Sequence, residues 1–127
     1  MKENEITEII IGCALKVHSK LGPGLLESAY EACLYHELSK TKLFIERQKP
    51  IPLVYDEIKL DCGYRCDMMV NNSIIVEIKT VESIVDIHLS QVLTYLKQTN
   101  CKVGLLINFN VKNLKHGLRR VVNNYED

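Results

Sequence analysis

In SIIVEIKT, Ser73 to Thr80, a run rich in β-branched residues ends in two charges one residue apart, Glu77 and Lys79. Side chains alternate along a strand, so both charges point to one face and Ile78 to the other. Such a run reads as a strand covered on both sides, where an unpaired charge costs several kcal/mol. A second carboxylate, Asp67, is embedded in the apolar run CDMMV on the preceding arm of an expected hairpin. A two-residue turn at Asn71-Asn72 would face Asp67 away from Glu77, whereas a three-residue loop, Asn71-Asn72-Ser73, pairs Val70 with Ile74 and sets Asp67 opposite Glu77. The second register joins the charges.

Two adjacent carboxylates repel unless a cation sits between them. Mg²⁺ is commonly held by one or two carboxylates together with waters and substrate phosphate oxygens. The chemistry open to this pair is metal-assisted attack of water on a phosphate, with Lys79 positioning the water or offsetting negative charge in the transition state. The structural alternative is that Lys79 pairs with Glu77 or Asp67 at a sheet edge, and spacing leaves both readings open. Further along, His88, Gln91 and Tyr95 share one helix face. Each also has an ordinary role, as a border position of a packed helix or as a capping or solvent-facing histidine. Glu27 opens a helix after Gly22-Pro23-Gly24, where a carboxylate complements the positive helix end. It would join the site if that helix start pointed at the charged face of the sheet.

The elements that must position these residues can be read from hydrophobic period. Ile6, Ile9, Ile10, Cys13, Ala14, Val17 and Leu21 predict an amphipathic helix over Thr7 to Lys20, and Leu26, Ala29, Tyr30, Cys33, Leu34 and Leu38 predict a second. From Phe44 the period changes. PIPLVYDEIKL, CGYRCDMMV and SIIVEIK predict a three-stranded antiparallel meander with turns at Asp56-Glu57 and Asn71-Asn72. SIVDIHLSQVLTYLKQTN returns to helical spacing, with Ser83 or Asp86 as the cap. CKVGLLINF reads as a buried strand and LKHGLRRVVNNY as a C-terminal helix. The expected order is α-α-β-β-β-α-β-α, an α+β domain whose sheet is mixed because a strand that follows a crossover helix tends to run parallel to its neighbour.

A chain of 127 residues is one domain by length, and 46% hydrophobic with 25% charged residues is the composition of a soluble globular protein. Sixteen basic residues against sixteen acidic ones argue against a protein held on nucleic acid by a general positive field, and leave a local basic groove open. Lys112, Lys115, Arg119 and Arg120 form one local basic cluster, either a phosphate-contacting surface or a solvated helix face. Five scattered cysteines suit free thiols in a reducing compartment, which makes the expected location cytoplasmic. Cys62 and Cys66 lack the second pair that a zinc site needs. The first residues lack the basic region of a signal peptide, and no apolar run approaches the ~20 residues of a membrane span.

Gly24-Leu25-Leu26-Glu27-Ser28-Ala29-Tyr30, Asp67, Glu77-Ile78-Lys79 and Gln91-Val92-Leu93-Thr94-Tyr95 together resemble the GxxExxY family, placed in the PD-(D/E)xK nuclease superfamily. The resemblance covers nearly the whole chain, through LGPGLLESAY, ERQKPIPLVY, GYRCDMMV, VEIKTVE, HLSQVLTYLK and VGLLINF. It implies a restriction-endonuclease-like core, an α/β sandwich in which helices flank a mixed sheet. It also implies Asp67 and Glu77 as metal ligands, Glu27 as the helix glutamate completing the acidic site, and Lys79 as the lysine that positions water or phosphate. Gln91 and Tyr95 match the QxxxY motif of the branch similar to the RecB nuclease domain. One departure is Cys66, which stands where the superfamily name has proline; that proline is a backbone preference and not a ligand.

The implied function is hydrolysis of phosphodiester bonds in nucleic acid, DNA favoured, with Mg²⁺ or Mn²⁺ as cofactor. The alternative is a non-catalytic nucleic-acid-binding or protein-assembly module that keeps the fold. A homodimer would enlarge the binding surface of so small a domain, and two-fold pairing is the commonest oligomeric form.

Overall fold

The computed structural model describes residues 1–124 of the chain. Helix α1 (Glu3–Leu21) buries Ile6, Ile10, Ala14 and Val17, spaced by four, four and three, so one stripe faces the core. Helix α2 (Glu27–Leu38) buries Tyr30, Leu34 and Leu38 in the same way. Between them the chain turns at Gly22, whose φ of 67° suits glycine. The hydroxyl of Tyr30 closes this turn by donating to Gly22 O and accepting from Leu25 N–H.

Strands β1 (Ile45–Pro50), β2 (Leu53–Tyr55), β3 (Ile58–Leu60), β4 (Arg65–Val70) and β5 (Ile74–Lys79) precede helix α3 (Asp86–Thr99), and β6 (Val103–Asn108) and β7 (Leu118–Val122) follow it. Five strands form one mixed sheet in the order β1-β4-β5-β6-β7, in which only β5 and β6 run parallel. That parallel step is made by α3, as expected of a crossover connection. Alternation sorts the sheet into two faces. Ile74, Val76 and Ile78 of β5 join Met68, Val70, Leu105 and Ile107 in a core under α1 and α2. Ile75 joins Met69, Leu106, Val92, Tyr95 and Leu96 in a second core under α3. Gly104 lets α3 come close, because a Cβ there would lie 2.6 Å from Val92 Cγ1.

The α+β class and the mixed sheet between helices agree with expectation. Two elements differ. The first strand of the meander is Ile45–Pro50, and LVY and IKL instead form a separate two-stranded sheet, β2–β3, turning at Asp56 with φ 52°. Pro50 and Pro52 flank Ile51 and supply no N–H donors, so the chain leaves the main ladder there and returns at Arg65. The second difference is at the C-terminal segment, where a 3₁₀ turn, Leu114–Gly117, leads into strand β7 antiparallel to β6; Tyr125 of the expected helix lies outside the described residues. An isolated helix of that length is marginal. A strand there pairs the otherwise open backbone of β6. Gly117 fits because a Cβ would fall 2.1 Å from Asn108 O.

Candidate active site at the end of strand β5

Strands β4 and β5 pair Val70 with Ile74, Met69 with Ile75 and Met68 with Val76, the register of the three-residue loop. Asn71 and Asn72 supply the left-handed backbone of that loop, with φ of 52° and 53°. One step beyond Met68 and Val76 lie Asp67 and Glu77, and there side chains take over from the backbone ladder. Asp67 N–H donates to Glu77 Oε2 at 3.3 Å, and Ile78 N–H donates to Asp67 Oδ2 at 2.8 Å. Each carboxylate therefore serves the backbone of the opposite strand.

Glu77 is only 4% exposed and Asp67 is half-buried. Burial pushes the Glu77 carboxyl far above the ordinary carboxylate range, and the side-chain hydrogen bond and charge of Asp67 push it the same way; Lys79 and the Asp67 backbone N–H oppose them. The pair is thus short of positive charge. Lys79 is half-buried on the same face and makes no ion pair within 4.0 Å among the described residues, so the simple pairing of Lys79 with Glu77 or Asp67 at a sheet edge is not formed. Its backbone is held from β6. Phe109 N–H donates to Lys79 O at 3.0 Å. Asn108, 1% exposed, accepts Val81 N–H at 3.1 Å and donates to Val81 O at 2.9 Å.

Helix α3 places Tyr95 over this face. Its ring meets Tyr64 edge-on at 6.4 Å, and its hydroxyl pKa is pushed up to about 12 by burial and by the charge of Glu77. Gln91 is half-buried one turn earlier, with no side-chain hydrogen bond among the described residues. His88 serves the helix itself, because its Nδ1 accepts Val85 N–H at 3.1 Å and so caps α3 in place of the expected Ser83 or Asp86.

Glu27 stands at the first position of α2, exposed and without a hydrogen bond or ion pair among the described residues. Tyr30 stacks on Phe109 with centroids 4.5 Å apart, so the start of α2 sits near the same end of the sheet as Lys79. Yet α2 packs on the face opposite α3, and the Glu27 carboxylate does not meet Asp67 or Glu77. The carboxylate that approaches is Glu31, one turn later and 9% exposed. Arg47 donates to Glu31 Oε2 through Nε at 3.2 Å and Nη2 at 3.0 Å. Gln48 Nε2 donates both to Glu31 Oε1 at 2.7 Å and to Asp67 Oδ1 at 3.2 Å. Neither Glu31 nor Gln48 was expected. Glu31 could be suspected from its place one turn after Glu27 beside the apolar stripe of α2; Gln48 carries no such signal.

Among the described residues no group of three or more His, Cys, Asp or Glu side chains converges at metal-ligating spacing, and this includes Cys62 and Cys66, which are free. Asp67 and Glu77 are a two-carboxylate donor set. That set fits a hard divalent cation, which needs one or two carboxylates and fills its remaining positions with water and phosphate oxygens.

A family model described as PD-(D/E)XK nuclease superfamily matches residues 4–121. The chain belongs to the PD-(D/E)XK nuclease superfamily. Membership carries nuclease-type function and a nucleic-acid substrate as the coarse expectation, and superfamily nucleases generally use divalent metals. No curated protein and no solved structure matches the chain. Among the described residues no helix is long and apolar enough to cross a membrane. The basic cluster is not a helix face: Lys112 and Lys115 lie in the loop and 3₁₀ turn, and Arg119 and Arg120 on edge strand β7.

Proposed function

We propose that this PD-(D/E)XK chain is a nuclease that hydrolyses phosphodiester bonds in nucleic acid, DNA favoured, with Mg²⁺ or Mn²⁺ held by Asp67 and Glu77. The observation that carries the reading is the carboxylate pair at the end of β5, Glu77 buried and Asp67 half-buried, with Lys79 one step along the same face. A divalent cation bound there supplies Lewis-acid polarisation of the phosphate and lowers the pKa of water. The residues of the chain do the rest. Ile78 N–H and Gln48 orient Asp67; Lys79, with no competing ion pair among the described residues, offsets negative charge on the phosphate as water adds and the leaving oxygen departs. Gln91 and Tyr95 border the site from α3 and contact substrate. Glu27, expected as a third ligand, would act from the exposed start of α2, through water or substrate and not by touching the pair.

The reading extends to a single domain over residues 1–127, the GxxExxY family and its RecB-like branch, a cytoplasmic location and a two-fold homodimer. A non-catalytic module with this fold is the competing reading, favoured by Glu27 standing exposed at the start of α2 and apart from the carboxylate pair. Calorimetric titration of Mg²⁺ and Mn²⁺ into the wild type and Glu77→Ala, with a DNA oligomer present to supply phosphate oxygens, separates them. Binding that is lost in the variant is the expected result. No binding by either protein overturns the nuclease reading in favour of the module.

A further inference from the structure

Gln48 is uncharged and accessible on an edge strand, yet its backbone is held in an unusual place. Its φ is 49°, a left-handed value that residues with a Cβ seldom keep unless the surroundings enforce it. The β1–β4 register runs through Ile45–Val70, Glu46–Met69 and Arg47–Met68 and resumes at Lys49–Cys66, so its one gap falls at Gln48 opposite Asp67. The twist sets side-chain direction. Arg47 reaches α2, where it grips Glu31 and lies 5.0 Å from the centre of the Tyr35 ring. The Gln48 amide follows it round the sheet edge and donates from one nitrogen to Glu31 and to Asp67. A carboxylate oxygen accepts, so the amide presents its NH₂ group to both. With Ile78 N–H on Oδ2 and Gln48 on Oδ1, both oxygens of Asp67 are oriented.

We propose that Gln48 is a positioning residue: it links the Arg47–Glu31 pair on one face of the sheet to Asp67 at its edge and aims the Asp67 carboxylate at a divalent cation. This rests on the metal-dependent reading above. Hydrogen-bond partners of ligating carboxylates typically govern metal affinity by roughly 10–100-fold. The left-handed backbone at Gln48 is the counterpart of that orientation, a local cost retained beside a site.

Gln48→Gly separates positioning from mere bracing. Glycine adopts the left-handed backbone without steric cost, so the variant sheds strain and the amide together. Mn²⁺ titration with the DNA oligomer present, and urea unfolding without metal, are the two readouts. The expected result is a urea midpoint at or above that of the wild type with Mn²⁺ affinity roughly 10–100-fold weaker. Gln48→Asn, whose amide tolerates this backbone but is one methylene too short to span both carboxylates, should lose affinity in the same way. Unchanged affinity in both variants while the wild type binds overturns the proposal and leaves the nuclease reading standing. So does a lowered midpoint in both that accounts for the lost binding, which would make Gln48 a brace. A wild type that binds no Mn²⁺ overturns the metal-dependent reading, and this proposal with it.

Discussion

At its turn end the β4–β5 hairpin is a regular ladder of apolar pairs, Val70 with Ile74, Met69 with Ile75 and Met68 with Val76, all buried. At its open end the same two strands carry Asp67, Glu77 and Lys79, and the ladder gives way to carboxylates bonded to the opposite backbone. The turn end is held by burial and is satisfied as it stands. The open end has backbone bonds satisfied by two carboxyl groups, and it leans on Gln48, Glu31 and Asn108 from neighbouring elements. One end contributes stability; the other is where the proposed chemistry would sit.

If this division is right, damage at the turn end should unfold the protein without touching chemistry. Ile74→Ala removes a side chain with no exposed surface and is expected to cost about 2–5 kcal/mol in urea unfolding. The Mn²⁺ affinity of the molecules that remain folded should stay at the wild-type value. A weaker affinity per folded molecule would show that the two ends are coupled through packing.

Lys79→Ala inverts the outcome. Lys79 makes no ion pair within 4.0 Å among the described residues, so the urea midpoint should hold, while cleavage of a DNA substrate in Mg²⁺ should fall by roughly 10²–10³-fold, as for loss of one group that stabilises transition-state charge. Unchanged turnover would remove Lys79 from the mechanism.

Without metal, Glu77 makes the open end sensitive to pH. Its folded-state pKa is raised from the ordinary 4.5 to about 9, first by burial and then by Asp67. Between those values the folded protein keeps a proton that the unfolded chain has released, so stability should fall as pH rises through the window. Glu77→Gln cannot ionise and keeps an oxygen for Asp67 N–H. Urea midpoints taken at increasing pH without metal should therefore decline for the wild type and stay flatter for the variant. Parallel slopes would place the titrating group elsewhere.

Much of this hairpin is legible in the sequence, because alternation and loop length are local properties. Val70 and Ile74 bracket three residues, two of them asparagines suited to left-handed backbone, and of the two turns the sequence allows this is the one that brings Asp67 to Glu77. What lies outside the hairpin is harder to read. Glu31 looks like a surface helix residue until Arg47 and Gln48 arrive from β1, a strand whose letters IERQKP carry almost no strand pattern. Gln48 depends on a single dihedral angle. The segment LRRVV becomes β7 because β6 offers an open edge, a tertiary fact that no helical period reveals. Glu27 shows the converse: a motif position that is plain in the sequence, and whose side chain the fold leaves exposed.

The smallest expected effect concerns the loop that sets the register. Asn72 is exposed at φ 53°, and its side chain makes no hydrogen bond among the described residues. Asn72→Ala puts a residue less tolerant of left-handed backbone there and should cost about 1 kcal/mol. The register should survive, because a one-residue slip would turn Ile74, Val76 and Ile78 out of the core under α1 and α2 and bring Glu77 into it. Mn²⁺ affinity should accordingly remain unchanged while the urea midpoint drops slightly. A loss of affinity larger than the loss of stability would mean that the loop, and not the buried alternation, keeps Asp67 opposite Glu77.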